Sequence, residues 1–141
     1  MKTVANPAVV AVVGAGLLVV ACQIAPVVHL INMSGRDVSV VVLDDEIAIA
    51  PREDIAFAYP YSANGGMSIR YGRCVLAYMP PAPPKNGYTR YSGIREHFNV
   101  RLEPDGSVVM LPPTEGELTA APLQEQPEGF PLVPTKSGEC D

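Results

Sequence analysis

The residues best able to do chemistry in this chain are two histidines and three cysteines. His29 and His97 stand in no HxH or HxxxH pattern and have no neighbouring cysteine. Because a metal centre needs three or four converging ligands, we expect no metal and no cofactor. Arg95-Glu96-His97 could form an acid/base group, but adjacent strand residues point to opposite faces. Without a GxSxG or P-loop pattern either, the chain is predicted not to be an enzyme and to have no catalytic residues.

The first 22 residues have the layout of a secretory signal. Met1-Lys2 gives a short positive start, and an uncharged apolar run from Ala8 to Ala21 follows. The run ends in Val19-Val20-Ala21-Cys22, which resembles the lipobox of bacterial lipoproteins. In that class the signal is cut before the Cys, whose thiol receives a diacylglycerol. The resemblance implies a signal peptide over residues 1–21, acylation of Cys22 with chains such as palmitate, and a firm lipid anchor to the membrane.

Other interpretations of this segment stay open. From Pro7 to Val28, a stretch of 22 residues, only Gln23 is plainly polar. Such a stretch could span a bilayer as an uncleaved helix and make the chain a single-pass membrane protein. A plain secretory signal is the third interpretation. Because Gln23 rather than Asp follows the Cys, the lipoprotein resemblance implies the outer membrane, with the domain facing the periplasm or the cell surface.

The remaining cysteines are an even pair. With Cys22 assigned to lipid, Cys74 and Cys140 are free to join in an oxidising compartment. We expect this disulfide, with two free thiols as the alternative.

The charges argue against a nucleic-acid partner. Residues 112–141 hold six acidic residues against Lys136 alone, which accounts for the net charge of −5. The neutral remainder offers no general attraction to nucleic acid. Within it, acidic residues predominate between Asp37 and Asp54, and basic residues between Arg70 and Arg101. These stretches are interpreted as cross-strand ion pairs, with a basic docking face as the alternative.

The elements that must position these residues are predicted to be strands. Large and small side chains alternate from Ile55 to Tyr61, which is typical of a strand. No later window has helical periodicity. About seven short strands predict an all-β domain, either a small antiparallel β-sandwich or a partly open barrel. The pattern places these residues in the core: Ile31, Val40, Val42, Ile47, Ile49, Ile55, Phe57, Ile69, Leu76, Phe98, Val100, Leu102 and Val108.

Composition divides the mature chain into three parts. Residues 22–26 form a lipid-anchored linker, 27–111 the β domain, and 112–141 a Pro/Glu-rich tail. We expect the tail to be extended and largely disordered. Its spaced apolar residues belong to a solvated spacer, or else anchor it to a partner or to its own domain: Leu118, Leu123, Phe130, Leu132 and Val133.

Tyrosine and arginine supply the candidate partner-binding residues. Tyr is enriched where a surface is both apolar and hydrogen-bonding. The candidates lie around the predicted Asn64 hairpin turn and the Pro80–Gly93 loop: Tyr59, Tyr61, Arg70, Tyr71, Arg73, Tyr78, Tyr88, Arg90, Tyr91 and Arg95. The alternative is that the tyrosines are ordinary half-buried strand residues.

The sequence therefore predicts an envelope lipoprotein that acts as a structural or accessory subunit and binds a protein partner. The alternative function is a periplasmic or surface binding or inhibitor module, with a pocket or the Pro80–Gly93 loop as its working part.

Overall fold

The computed structural model describes residues 24–61, 65–85, 87–114, 116 and 118–141. The predicted signal peptide and Cys22 lie outside the described residues. Within them the chain forms ten β-strands, and none of it forms a helix that could cross a membrane. The strands are β1 (Val27–Asn32), β2 (Val38–Val42), β3 (Asp45–Ile49), β4 (Asp54–Ala58), β5 (Met67–Tyr71), β6 (Cys74–Tyr78), β7 (Arg90–Ser92), β8 (Arg95–Leu102), β9 (Val108–Met110) and β10 (Thr135–Gly138).

The strands form two five-stranded sheets, which confirms the predicted all-β sandwich. Sheet A has the order β4-β1-β8-β7, with β9 also paired to β8, and sheet B has the order β10-β6-β5-β2-β3. One pairing differs from an antiparallel sandwich, because β1 and β8 run parallel, with Leu30 opposite Val100. Sheet A is therefore mixed.

A glycine turn carries the chain from sheet A to sheet B. Asn64-Gly65-Gly66 was expected to close a hairpin, but β4 pairs with β1 and β5 pairs with β2 and β6. Gly66 has a φ of 73°, and a Cβ there would lie 2.7 Å from the carbonyl oxygen of Tyr78. A side chain at this crossing would therefore meet backbone. Asn64 of the predicted turn lies outside the described residues.

The core lies between the sheets and follows the period-two pattern. Phe98, Val100 and Leu102 of β8 are each at most 2% exposed. The other predicted core residues are buried as well, except Ile47, Ile55 and Phe57, which are half-buried. These three lie on β3 and β4, the edge strands at one side of the sandwich, where only one neighbouring strand covers them.

The C-terminal segment corrects the expectation of a disordered tail. Phe130 and Leu132 are buried in the core, at 9% and 6% exposure. Leu132 exchanges backbone hydrogen bonds of 3.0 and 2.9 Å with Val108, and β10 then pairs antiparallel with β6. The segment thus closes the side of the sandwich opposite β3 and β4, which we call the closed side.

The predicted disulfide is present at the end of this segment. Cys74 and Cys140 are joined, with their Cα atoms 4.7 Å apart. Cys74 opens β6 and is fully buried. The bond therefore ties the C-terminus to β6, the strand with which β10 pairs.

Candidate binding surfaces

Two of the candidate tyrosines belong to the core. Tyr59 and Tyr78 are 5% and 3% exposed. The Tyr59 hydroxyl donates to the Pro81 carbonyl oxygen at 2.8 Å, and its ring lies edge-on to Phe98 at 5.1 Å. The Tyr78 hydroxyl donates to the Gly106 carbonyl oxygen at 2.6 Å. Burial raises the pKa of both hydroxyls above the ordinary tyrosine value. Both tyrosines therefore hold loop backbone against the sandwich through their hydroxyl groups.

Three further candidates lie at the turn between β5 and β6 or near it. Tyr71 is half-buried, with the Arg36 guanidinium 4.2 Å from the centre of its ring, a cation–π contact. Arg70 is exposed on the outer face of sheet B. Arg73 contacts Glu139 at 3.3 Å, with both side chains largely exposed. These contacts tie neighbouring turns together.

Four of the remaining candidates lie at or near the hairpin formed by β7 and β8. Tyr91 is 71% exposed, and its hydroxyl donates to Glu96 at 2.6 Å, which raises the Tyr91 pKa. Arg95 is exposed beside it, whereas Tyr88 and Arg90 are half-buried. Tyr61, which is 39% exposed, follows β4 instead. The ten candidates therefore lie in the core, at the β5–β6 turn, at this hairpin and after β4.

The predicted ion pairing between the acidic and basic stretches is also corrected. Among the described residues the ion pairs are Arg73–Glu139 and Arg101–Glu103. Neither joins residues 37–54 to residues 70–101. The acidic residues lie mostly on β3, β4 and their turns, and basic residues lie on β5, β7 and β8, which are not their neighbours in either sheet.

The structure brings the two histidines together, which the sequence reasoning missed. His29 and His97 lie on the outer face of sheet A, in the parallel neighbours β1 and β8. Their rings stack, and His29 Nε2 lies 2.8 Å from His97 Nδ1. Arg90 Nη2 approaches the same Nε2 at 3.4 Å. A hydrogen bond between two imidazoles needs one donor and one acceptor nitrogen, so the contact is not compatible with two protonated rings.

This cluster joins three strands. Arg90 carries only donors, and the described residues hold no group of three His, Cys, Asp or Glu side chains placed to bind a metal. Glu96 accepts from Tyr91 while His97 contacts His29. The two adjacent side chains thus have separate partners, in agreement with the alternation argument that they point to opposite faces.

Backbone of Pro112, Thr114 and Ala120 lies against the same outer face. The Asn99 side-chain amide donates to the carbonyl oxygens of Pro112 and Thr114 at 3.0 Å each. The Arg101 guanidinium donates to the carbonyl oxygen of Ala120 at 3.3 Å. Asn99 is 1% exposed as a result. Sheet A is therefore partly covered on its outer face by the chain itself.

No described strand covers the side of the sandwich bounded by β3 and β4, and we call it the open side. Each of these strands pairs with one neighbour among the described residues, β3 with β2 and β4 with β1. Ile47, Ile55 and Phe57 are half-buried there. Because each edge strand has backbone groups on its outer edge that no described strand pairs, this side can accept an added strand.

The interior offers little room for a ligand. The cavity between the sheets, lined by Leu30, Tyr59, Phe98 and neighbouring apolar residues, has a volume of about 10 Å³. Drug-sized ligands occupy pockets of roughly 300–1,000 Å³. The larger depressions of the described residues are open grooves on the outer face of sheet B.

No protein family, curated protein or solved structure matches the chain.

Proposed function

We propose that this protein is a lipid-anchored accessory protein of a bacterial envelope, and that it acts by binding a partner protein rather than by catalysis. The observation that carries the proposal is how the cysteines are used. Cys74 and Cys140 form a disulfide, a bond that persists in exported proteins and is rare in the cytosol. The odd cysteine is Cys22, which ends the apolar run in the lipobox-like Val19-Val20-Ala21-Cys22. Gln23 after it favours the outer membrane.

The open side is where we place the partner. On the closed side, the chain uses its own residues 130–138 to cover the sheet edges. An extended segment of a partner would do the same on the open side, by pairing with β4 or β3 and covering Ile47, Ile55 and Phe57. Asp45, Glu46 and Asp54 flank these strands. The partner segment is therefore expected to alternate apolar and basic residues.

A matched pair of substitutions on β3 tests this assignment. Ile47→Lys places a charge at the open side, whereas Ala48→Lys places the same charge on the outer face of sheet B. Each protein is extracted from its native membrane in mild detergent, and the mass of its complex is measured. We expect the wild type and Ala48→Lys to migrate in a complex larger than the 15.0 kDa chain, and Ile47→Lys to migrate alone while melting as the wild type does.

Two outcomes would overturn the proposal. A wild-type chain that is monomeric in its native membrane has no stable partner. Equal retention of the complex by both variants would place the partner away from the open side.

A further inference from the structure

The exposed large apolar side chains of this domain are unevenly distributed. Seven of them are exposed among the described residues: Ile24, Leu43, Tyr61, Met79, Tyr91, Ile94 and Val133. Met79, Ile94 and Val133 are 85%, 82% and 78% exposed. Singly, such residues need no explanation, but a shared location does.

Strand register places six of the seven at one end of the sandwich. We call this the near end, because β1 begins there, and the opposite one the far end. In sheet A, Val27 starts β1 opposite Ala58, the last residue of β4, and beside His97 near the start of β8. Ile24 precedes β1, Tyr61 follows β4, and Tyr91 and Ile94 lie at the hairpin that precedes His97.

Sheet B places Leu43 and Met79 at the same end. Met67 pairs with Val42, the last residue of β2, and with Tyr78, the last residue of β6. Leu43 and Met79 follow these strands directly, whereas Val133 lies beside the turn after β8, because Leu132 pairs with Val108. The hydrogen bond from the Tyr59 hydroxyl to the Pro81 carbonyl oxygen joins the end of β4 to the segment after β6. The two sheets therefore present one common apolar end.

The far end is polar. It consists of the turns after β1, β3, β5 and β8 together with the C-terminus. Its exposed or half-buried charged residues are Arg36, Asp37, Arg52, Glu53, Arg73, Asp105, Glu139 and Asp141. Of the seven exposed apolar residues only Val133 borders this end, whereas the other six share the near end with exposed charges such as Asp44 and Arg95.

The proposed anchor joins the domain at the near end. Cys22 is five residues before Val27, where β1 begins. A fully extended chain spans at most about 3.6 Å per residue, so the start of β1 lies within about 18 Å of an acylated Cys22. The apolar end is therefore the end held closest to the bilayer.

We propose that the near end of the sandwich rests on the lipid surface, so that the domain stands upright with its far end pointing away from the bilayer. This inference rests on the proposed lipid anchor. The β7–β8 hairpin is the deepest point of contact. Its tip combines the exposed side chains of Tyr91, Ile94 and Arg95, and tyrosine and arginine side chains are suited to the membrane interface because they join an apolar body to a polar tip.

A tryptophan scan tests this orientation, because the natural chain contains no tryptophan. Ile94→Trp and Met79→Trp mark the near end, and Asp37→Trp is the control at the exposed far end. Each variant is purified from its native membrane and reconstituted into phosphatidylcholine/phosphatidylglycerol vesicles with and without brominated acyl chains. Flotation of the vesicles reports anchoring, and near-ultraviolet circular dichroism reports folding.

We expect brominated lipid to quench the tryptophan fluorescence of Ile94→Trp and Met79→Trp at least twofold more than that of Asp37→Trp. The emission of the two near-end variants should also be blue-shifted. Chains that float but are quenched equally or not at all would overturn the orientation and leave the anchor intact. In that case a near end reserved for a protein partner is the better explanation. Chains that fail to float with the vesicles would overturn the anchor and, with it, this inference.

Discussion

Removal of the disulfide is the perturbation whose magnitude follows most directly from the structure. Cys74 and Cys140 are 66 residues apart in sequence. In the chain-entropy description, a cross-link closing a loop of this size destabilises the unfolded state by about 4 kcal/mol. Measured values are commonly about 2–4 kcal/mol. Cys140→Ser is the preferred variant, because Cys74 is fully buried and a hydroxyl there would add a second penalty.

Urea unfolding of the wild type, with and without reductant, and of Cys140→Ser measures the effect. With a slope of about 1–3 kcal/mol per molar urea, a loss of about 3 kcal/mol lowers the midpoint by about 1–3 M. Reduced wild type and Cys140→Ser should agree with each other, and reductant should leave Cys140→Ser unchanged. Ser137→Ala, on the exposed face of β10, is the control and should change the free energy of unfolding by less than about 0.5 kcal/mol.

An oxidised and a reduced wild type with the same midpoint would refute the reasoning. The result would mean that residues 130–140 detach before the rest of the domain unfolds, so that the disulfide does not change the free energy of global unfolding. The closed side of the sandwich would then have to be described as a detachable segment.

Three further predictions concern the same core and its turns. Phe130→Ala should cost about 3–5 kcal/mol in urea unfolding because its ring fills the closed side, whereas Val133→Ala, at 78% exposure, should change little. Tyr78→Phe should cost about 1 kcal/mol at neutral pH through its lost hydrogen bond. Burial, with a smaller contribution from Asp105, raises the Tyr78 pKa in the folded state. Its stabilisation is therefore present below the unfolded pKa near 10 and lost as the pH rises above it. The free energy of unfolding, measured by urea denaturation between pH 9 and 11, should therefore decrease less with rising pH in Tyr78→Phe than in the wild type. Hydrogen bonds from Ser107 lower the Asp105 pKa, so their contribution to stability is lost as the pH falls below about 4. The free energy of unfolding should therefore decrease less on acidification in Asp105→Asn than in the wild type.

The local part of this fold could be predicted from the sequence. Residues 98–111 read as a hairpin because their alternation and the Pro104–Gly106 turn lie within a few residues, and β8 and β9 pair accordingly. The strand number was underestimated because short strands such as β7 and β10, with three and four residues, have too few side chains to show a period.

Long-range pairings could not be predicted, and they explain the errors. Nothing near His29 in the sequence indicates that β1 runs parallel to a strand 68 residues later. The acidic, proline-rich composition of the tail favoured disorder, yet Phe130 and Leu132 pack into the core, β10 pairs with β6 and Cys140 bonds to Cys74.

The candidate partner-binding residues were chosen from the sequence by residue type, without knowledge of their positions in the fold. Tyr59 continues the inward phase of Ile55 and Phe57, and Tyr78 that of Leu76, so their burial was available from the alternation already used for the core. Clustering of exposed apolar residues at the near end depends on both sheets at once, and no single strand pattern contains it.

The central claim is that this is an acylated, disulfide-bonded domain displayed at a membrane, and intact mass of the protein purified from its native membrane tests it most directly. The account predicts a chain that begins at Cys22, carries two or three acyl groups, and gains the mass of two hydrogens on reduction. A full-length, unacylated chain beginning at Met1 would contradict it, and would make the protein a single-pass membrane protein with the same β-sandwich.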